Sequence, residues 1–173
     1  PIPGEAPQAK IGAVGRMVGA LISPGETFAD IARKPTWLAP VILFCVLGLA
    51  VVAIFTQRVG WESYMRKQME KSSQWEQLSE EQKQQRLGPG TKIAPYSGSV
   101  MVVIINFASV AIAAGLLMLG IRMTTGADFT YKTSLGVCAH GFMPSAVAGV
   151  IGILVLYLKE PSTIDLEHLV GSN

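Results

Sequence analysis

The chain has 173 residues, 50% of them apolar and only 15% charged, where an average soluble domain carries roughly 25% charge. Its 14 basic and 12 acidic residues leave a net charge of +2, too balanced for a nucleic-acid surface. Because the apolar residues collect into three long runs, the composition excludes both an ordinary soluble enzyme and a disordered tail.

Near the start, Ile11, Val14, Val18, Leu21 and Ile22 recur at three- and four-residue spacing, with Lys10 and Arg16 off that stripe. The pattern predicts a helix that either lies in the membrane interface or packs on the protein's own spans, both of which bury the stripe. Ser23-Pro24-Gly25-Glu26 reads as a capping box with proline at the first helical position. It opens a second short helix carrying Phe28 and Ile31 on one face and stopping at Pro35. Residues 10–34 are therefore predicted as amphipathic interfacial helices.

Three uncharged runs follow. The first predicted span covers 37–56, with Pro40 near its start; the second covers 99–121, with Asn106 its only strongly polar side chain; the third covers 134–158 and holds His140 and Pro144. At 1.5 Å per residue each crosses a ~30 Å hydrocarbon core with some tilt. Trp37 and Tyr157 sit at run ends, where amphipathic rings favour the headgroup level. Arg122 and Lys159 close the second and third runs, where they can snorkel.

Between the first two spans, residues 57–96 predict a polar helical hairpin. Trp61, Tyr64, Met65, Gln68 and Met69 mark a helix leaving the first span with Trp61 anchored near the lipid. Leu78-Ser79-Glu80-Glu81-Gln82 reads as a second capping box, and its helix is expected to end at Leu87-Gly88-Pro89-Gly90. A solvated face is the favoured reading of this segment, ahead of a partner-docking surface. Residues 159–173 read as a loop or tail. The expected fold is all-α: a polytopic membrane protein, one membrane domain over 1–173, with three transmembrane helices, interfacial N-terminal helices and the polar hairpin.

The chemistry is sparse. Cys45 and Cys138 both lie inside apolar runs, where free cysteine behaves as a small hydrophobe. No CxxCH, CxxC or HExxH occurs, so the motifs for c-type haem and for metal binding are missing. No Asp, Glu, Lys or Arg lies inside any predicted span, which counts against a proton pump or an ion-coupled transporter. Asn106, His140 and the backbone before Pro144 are the intramembrane polar groups, and such groups are functional candidates. Proline has no N–H, so the His140 carbonyl loses its helical partner. The favoured reading of His140 is bonding to another helix or to the interface. Ligation of a porphyrin or chlorophyll metal, and proton handling, stand behind it. If spans two and three pair antiparallel from their connecting loop, Asn106 and His140 differ in level by about nine residues, or ~13 Å, too far for one site. Small residues recur at Ala111 and Gly115, and at Gly141, Ser145, Gly149 and Gly152, faces that let helices approach closely. They predict either packing between these spans or a homo-oligomer or partner interface.

Ser23-Pro24 followed by Phe28, Ile31, Pro35, Trp37 and Pro40 resembles the start of the bacterial branch of the Yip (Ypt/Rab-interacting) family of integral membrane proteins. A second block agrees: Gly126-Ala127-Asp128-Phe129-Thr130-Tyr131-Lys132, then Ala139-His140 and Pro144. The resemblance implies a polytopic helical protein of the bacterial cytoplasmic membrane with a cytoplasmic N-terminal segment, and it brings no catalytic residues. Relatives usually have five spans, so the chain is expected either to continue into two more or to be a shortened member.

Together these readings predict a non-enzymatic membrane scaffold or interaction protein, contacting lipids and a protein partner or a second copy, with no nucleic acid. The alternative is an accessory subunit of a larger bioenergetic or photosynthetic complex, with lipid or pigment near His140. A transporter or lipid-handling role is the third possibility.

Overall fold

A computed structural model describes residues 11–160; Lys10 and the predicted tail beyond residue 160 lie outside them. The described chain is helical throughout: α1 (Ala13–Ile22), α2 (Pro24–Arg33), α3 (Leu38–Arg58), α4 (Trp61–Glu70), α5 (Ser73–Glu76), α6 (Glu80–Thr125), α7 (Tyr131–Gly141) and α8 (Met143–Leu158). Three stretches are long and apolar enough to cross a membrane: Leu38–Arg58, Glu80–Thr125 and Tyr131–Leu158. The expected all-α, three-span architecture is what the chain adopts. It gathers into two compact units, one made of residues up to Val46 with Ile104–Ala148, the other of Leu47–Val103 with residues from Gly149 onward.

In the first unit, α1 packs on α2 and both pack on α7. The apolar core of this unit is made by α3, α6 and α7, from Val41, Val110 and Ala139, with Trp37, Cys45, Leu135 and Cys138 against it. Both cysteines are free thiols, filling space as their apolar surroundings suggest. The capping box at Ser23 does not form. The Ser23 N–H closes α1 by donating to the Gly19 carbonyl at 2.8 Å, so it is not available to Glu26. The Ser23 side chain caps nothing, and the Thr27 hydroxyl donates to the Ser23 carbonyl instead, at 2.9 Å. The turn is too tight for the box, because Ser23 ends one helix and starts the next.

Gly126, at φ 67°, ends α6 in the left-handed conformation that glycine adopts without steric cost; its N–H donates to the Arg122 carbonyl. The chain then runs back beside α6. Arg122 donates from Nε to the Phe129 carbonyl at 3.0 Å and pairs with Asp128, so it holds this loop as well as closing the apolar run. Thr130 caps α7 by accepting from the Thr133 N–H. The Tyr131 hydroxyl donates to the Ala111 carbonyl at 3.0 Å. α7 therefore begins beside Ala111, at the middle of the predicted second span and well before the end of α6, so the two helices do not pair level from their connecting loop. The third span is also not one kinked helix: it breaks at Phe142, whose N–H turns toward both the Cys138 and His140 carbonyls. This partly replaces the bond that Pro144 cannot make.

The second unit is built on aromatic packing. Phe55 and Leu156 are buried, with Val51, Ile54, Val59, Trp61 and Tyr64 around them. Phe55, Trp61 and Tyr64 meet edge to face at centroid distances of 5.0, 5.7 and 6.3 Å, a favoured geometry for aromatic rings. The Trp61 N–H donates to the Thr56 hydroxyl at 2.9 Å. The second capping box does form: the Ser79 N–H donates to Gln82 Oε1 at 3.0 Å, and the Gln82 N–H to Ser79 Oγ at 3.3 Å.

The helix it opens does not stop at Leu87-Gly88-Pro89-Gly90. It runs through Pro89 and Pro95 as the single 46-residue helix α6, about 69 Å long. The predicted hairpin arm and the second span are thus one element. Packing overrides the breakers: Leu87 and Ala94 are buried. A side chain at Gly90 would meet Met65 at 3.3 Å, and one at Gly98 would meet Trp61 at 3.4 Å. Of the two glycines in the expected stop, Gly90 is a place where α6 touches a neighbour, while Gly88 meets nothing within 4 Å.

Candidate functional site

The most concentrated polar chemistry lies at α1, α2 and the start of α3. Arg16, expected on the outer, polar side of α1, is only 2% exposed. Its guanidinium makes five hydrogen bonds. Nε and Nη2 donate to Asp30 Oδ2 at 2.9 and 2.8 Å, and Nη2 also to the Asp30 carbonyl at 3.3 Å. Nη1 donates to the Lys34 carbonyl at 2.8 Å and to Thr36 Oγ1 at 2.7 Å. Arginine has five N–H donors, so all are spent. The Asp30 and Lys34 carbonyls belong to the C-terminal end of α2, where a cation answers the unpaired acceptors and the helix dipole. Arg16 thus ties α1, the end of α2 and the entry to α3 together at one point.

The same region is tight sterically. A Cβ on Gly19 would lie 2.3 Å from Thr27 Oγ1, and one on Gly136 would lie 3.0 Å from Ile31 and 3.3 Å from the Thr36 carbonyl. Gly19 lets α1 approach α2, and Gly136 lets α7 approach α2 and the linker. The sequence signal for this cluster was an off-stripe cation three residues before a glycine, with an acid on the next helix, and it is weak without the fold.

His140 is buried beside this cluster, with Nδ1 2.9 Å from the Gly136 carbonyl and Arg16 within electrostatic reach of the ring. Ser134, one turn earlier than Cys138, is fully buried, and its hydroxyl has no hydrogen-bond partner. Among the described residues no group of three or more His, Cys, Asp or Glu side chains could hold a metal ion.

The predicted interfacial stripe points outward. Val14 is 68% and Ile22 76% exposed, with Val18 and Leu21 also exposed, while Ile11 is half-buried. Trp37 meets Phe107 edge to face at 6.3 Å, and Trp61 sits in the aromatic cluster described above. Of the small residues, a side chain at Gly115, Gly141 or Gly152 would meet nothing within 4 Å, and one at Gly149 would meet only Leu47 at 3.9 Å. Ala111 offers its carbonyl to Tyr131. Buried small residues in these helices include instead Ala114, Ser134, Gly136, Ala139 and Ala146.

Two clefts belong to the first unit. The smaller, ≈ 310 Å³, is lined by Phe44, Asn106, Ser109, Val110, Phe142 and Ser145. The recessed start of α7 brings Asn106 into company with Phe142 and Ser145, while His140 lines neither cleft. The larger, ≈ 600 Å³, lies where α1 meets the α2–α3 linker, with Arg16 at its base and Lys34, Trp37, Leu38 and Ile42 among its walls.

These features define a polytopic helical membrane protein whose N-terminal hairpin is closed on itself by a buried ion pair and tied by the same guanidinium to the linker that enters α3. A model of the Yip1 domain matches residues 18–171, and the chain belongs to the Yip1-domain family. No curated protein and no solved structure matches it. Several residues behind the resemblance hold defined places in the fold: Ile31 and Pro35 abut Gly136, Thr130 caps α7, and Asp128 and Phe129 are held by Arg122.

Proposed function

We propose that this Yip-family membrane protein is a non-enzymatic scaffold of the bacterial type, seated in the cytoplasmic membrane with its N-terminal hairpin on the cytoplasmic side. The observation that carries this reading is the inverted hairpin of α1 and α2. Its charged pair is inside and spent on the fold, and its apolar stripe is outside. A guanidinium with no free donor is suited to holding a surface in place and poorly suited to catalysis or transport. The exposed stripe of Val14, Val18, Leu21 and Ile22 suits lipid contact, with Ile11, Trp37 and Trp61 as further anchors. The open faces at Gly115, Gly141, Ser145 and Gly152 suit a partner helix or a second copy. His140, buried and held on the Gly136 carbonyl of its own helix, serves packing in this reading, and its bond runs within α7 and not to another helix.

Gentle detergent extraction from native membranes, followed by sizing and mass spectrometry, tests it. The expected result is a colourless assembly of fixed stoichiometry that is weakened by the double substitution Val14→Asp/Val18→Asp. Migration as a bare monomer alongside intact complexes of other proteins overturns the scaffold role. A coloured complex whose absorbance disappears in His140→Ala replaces it with the accessory-subunit reading.

A further inference from the structure

We infer that the ≈ 600 Å³ cleft between α1 and the α2–α3 linker is a binding site for one anionic phospholipid of the bilayer, its phosphate held by Lys34. The volume falls within the range of small-ligand pockets, roughly 300–1,000 Å³. Its lining divides by chemistry. At one end stand Arg16, Lys34 and Thr36; along the rest run Ile11, Ala13, Pro35, Trp37, Leu38, Ala39 and Ile42, and no acidic residue lines it.

Each polar group has a distinct availability. The Arg16 guanidinium is spent on Asp30, Lys34 and Thr36, so its charge is neutralised and its donors are taken. The same bonds cover the Asp30 and Lys34 carbonyls, which removes the partial negative charge that the end of α2 would otherwise present to an anion. Lys34 is exposed and, like Arg33 beside it, belongs to none of the described ion pairs. The end of α2 is therefore net cationic, with the exposed Lys34 among the residues that line the cleft.

The apolar wall identifies the anion as part of a lipid. Leu38 and Ile42 lie one turn apart on α3, each 51% exposed, and Val46 continues the ridge one turn further. An acyl chain leaving the cleft would follow this ridge down the span. Trp37 stands where the span begins, at the level of glycerol and headgroup that tryptophan prefers. A free inorganic anion would gain nothing from that wall. This site does not depend on the scaffold reading; it needs only the membrane-embedded fold.

The full chain, purified in neutral detergent and titrated with phosphatidylglycerol or phosphatidylcholine, is read by native mass spectrometry. The expected preference for phosphatidylglycerol is roughly tenfold: both lipids offer the phosphate, but phosphatidylcholine also brings a cationic choline against the positive end of α2, where like charges repel. Lys34→Gln should abolish it, and Ala39→Phe, which fills the cleft and keeps the charge, should reduce binding of both lipids. Lys132→Gln, at an exposed cation on α7, should leave it unchanged. Equal binding of the two lipids, a preference that survives Lys34→Gln, or binding of both lipids unchanged in Ala39→Phe overturns the site. Displacement of the lipid by millimolar inorganic phosphate assigns the cleft to a free anion and overturns the lipid.

Discussion

The α1–α2 hairpin and the segment made of α4, α5 and the polar start of α6 both adjoin apolar spans, yet they differ in what they bury: beside Ile31, the hairpin takes in polar and charged side chains. The hairpin buries Arg16, Thr27 and Asp30 and exposes Val14, Val18 and Ile22. The other segment buries Trp75, Leu87 and Ala94 and leaves its ion pairs, such as Lys83–Glu80, at the surface. Amphipathicity is therefore satisfied in two ways in one chain. A helix meant for water hides its apolar face. A helix meant for lipid can turn that face outward and fold around a polar interior, provided that every buried donor is satisfied.

The contrast is sharpest at the ion pair. Asp30→Ala leaves the buried guanidinium without its carboxylate and should cost about 3–5 kcal/mol, read as thermal unfolding in detergent. Arg16→Lys should not rescue the clamp, because an ammonium cannot span the acceptors that the guanidinium fork reaches. Equal stability of wild type and Asp30→Ala would mean that the hairpin is not held from inside. In the other segment the equivalent lever is apolar: Leu87→Ala should cost about 2–5 kcal/mol through the cavity it leaves. Glu80→Gln, which removes an exposed partner, should leave the thermal unfolding in detergent essentially unchanged.

Gly19→Ala places a methyl group against Thr27 and should cost about 1–3 kcal/mol by overpacking. Combination with Thr27→Ala should recover part of that loss, and a double-mutant cycle measures the coupling. The smallest effect is expected at Ser134→Ala, which deletes a buried hydroxyl with no partner. Stability should stay unchanged or rise by up to about 1 kcal/mol, and a loss larger than that would show that the hydroxyl is satisfied in the membrane.

The sequence reading went furthest where one residue type or one run length decides the matter. Run length marked the spans, because hydrocarbon thickness sets a minimum that little else in a protein demands. The Ser79–Gln82 box was readable because both of its bonds are local. The box at Ser23 was not, because its backbone N–H had already been taken by Gly19 of the preceding helix. Gly88-Pro89-Gly90 misled for a related reason. Intrinsic preference argues for a stop, and Met65 and Trp61, far along the chain, turn nearby glycines into contact points.

Composition and periodicity by themselves determined that this protein is helical, that it has three spans and that α1 is two-faced. They could not determine which face of α1 points inward, since a stripe has the same spacing whether it meets lipid or core. Only the tertiary structure decided that, by bringing Asp30, Lys34 and Thr36 to the five donors of Arg16. It also decided the depth at which α7 starts, through the bond from Tyr131 to Ala111, and with it which polar residues become neighbours. Those outcomes depend on contacts between residues distant in sequence, and their energies exceed the local preferences that a sequence displays.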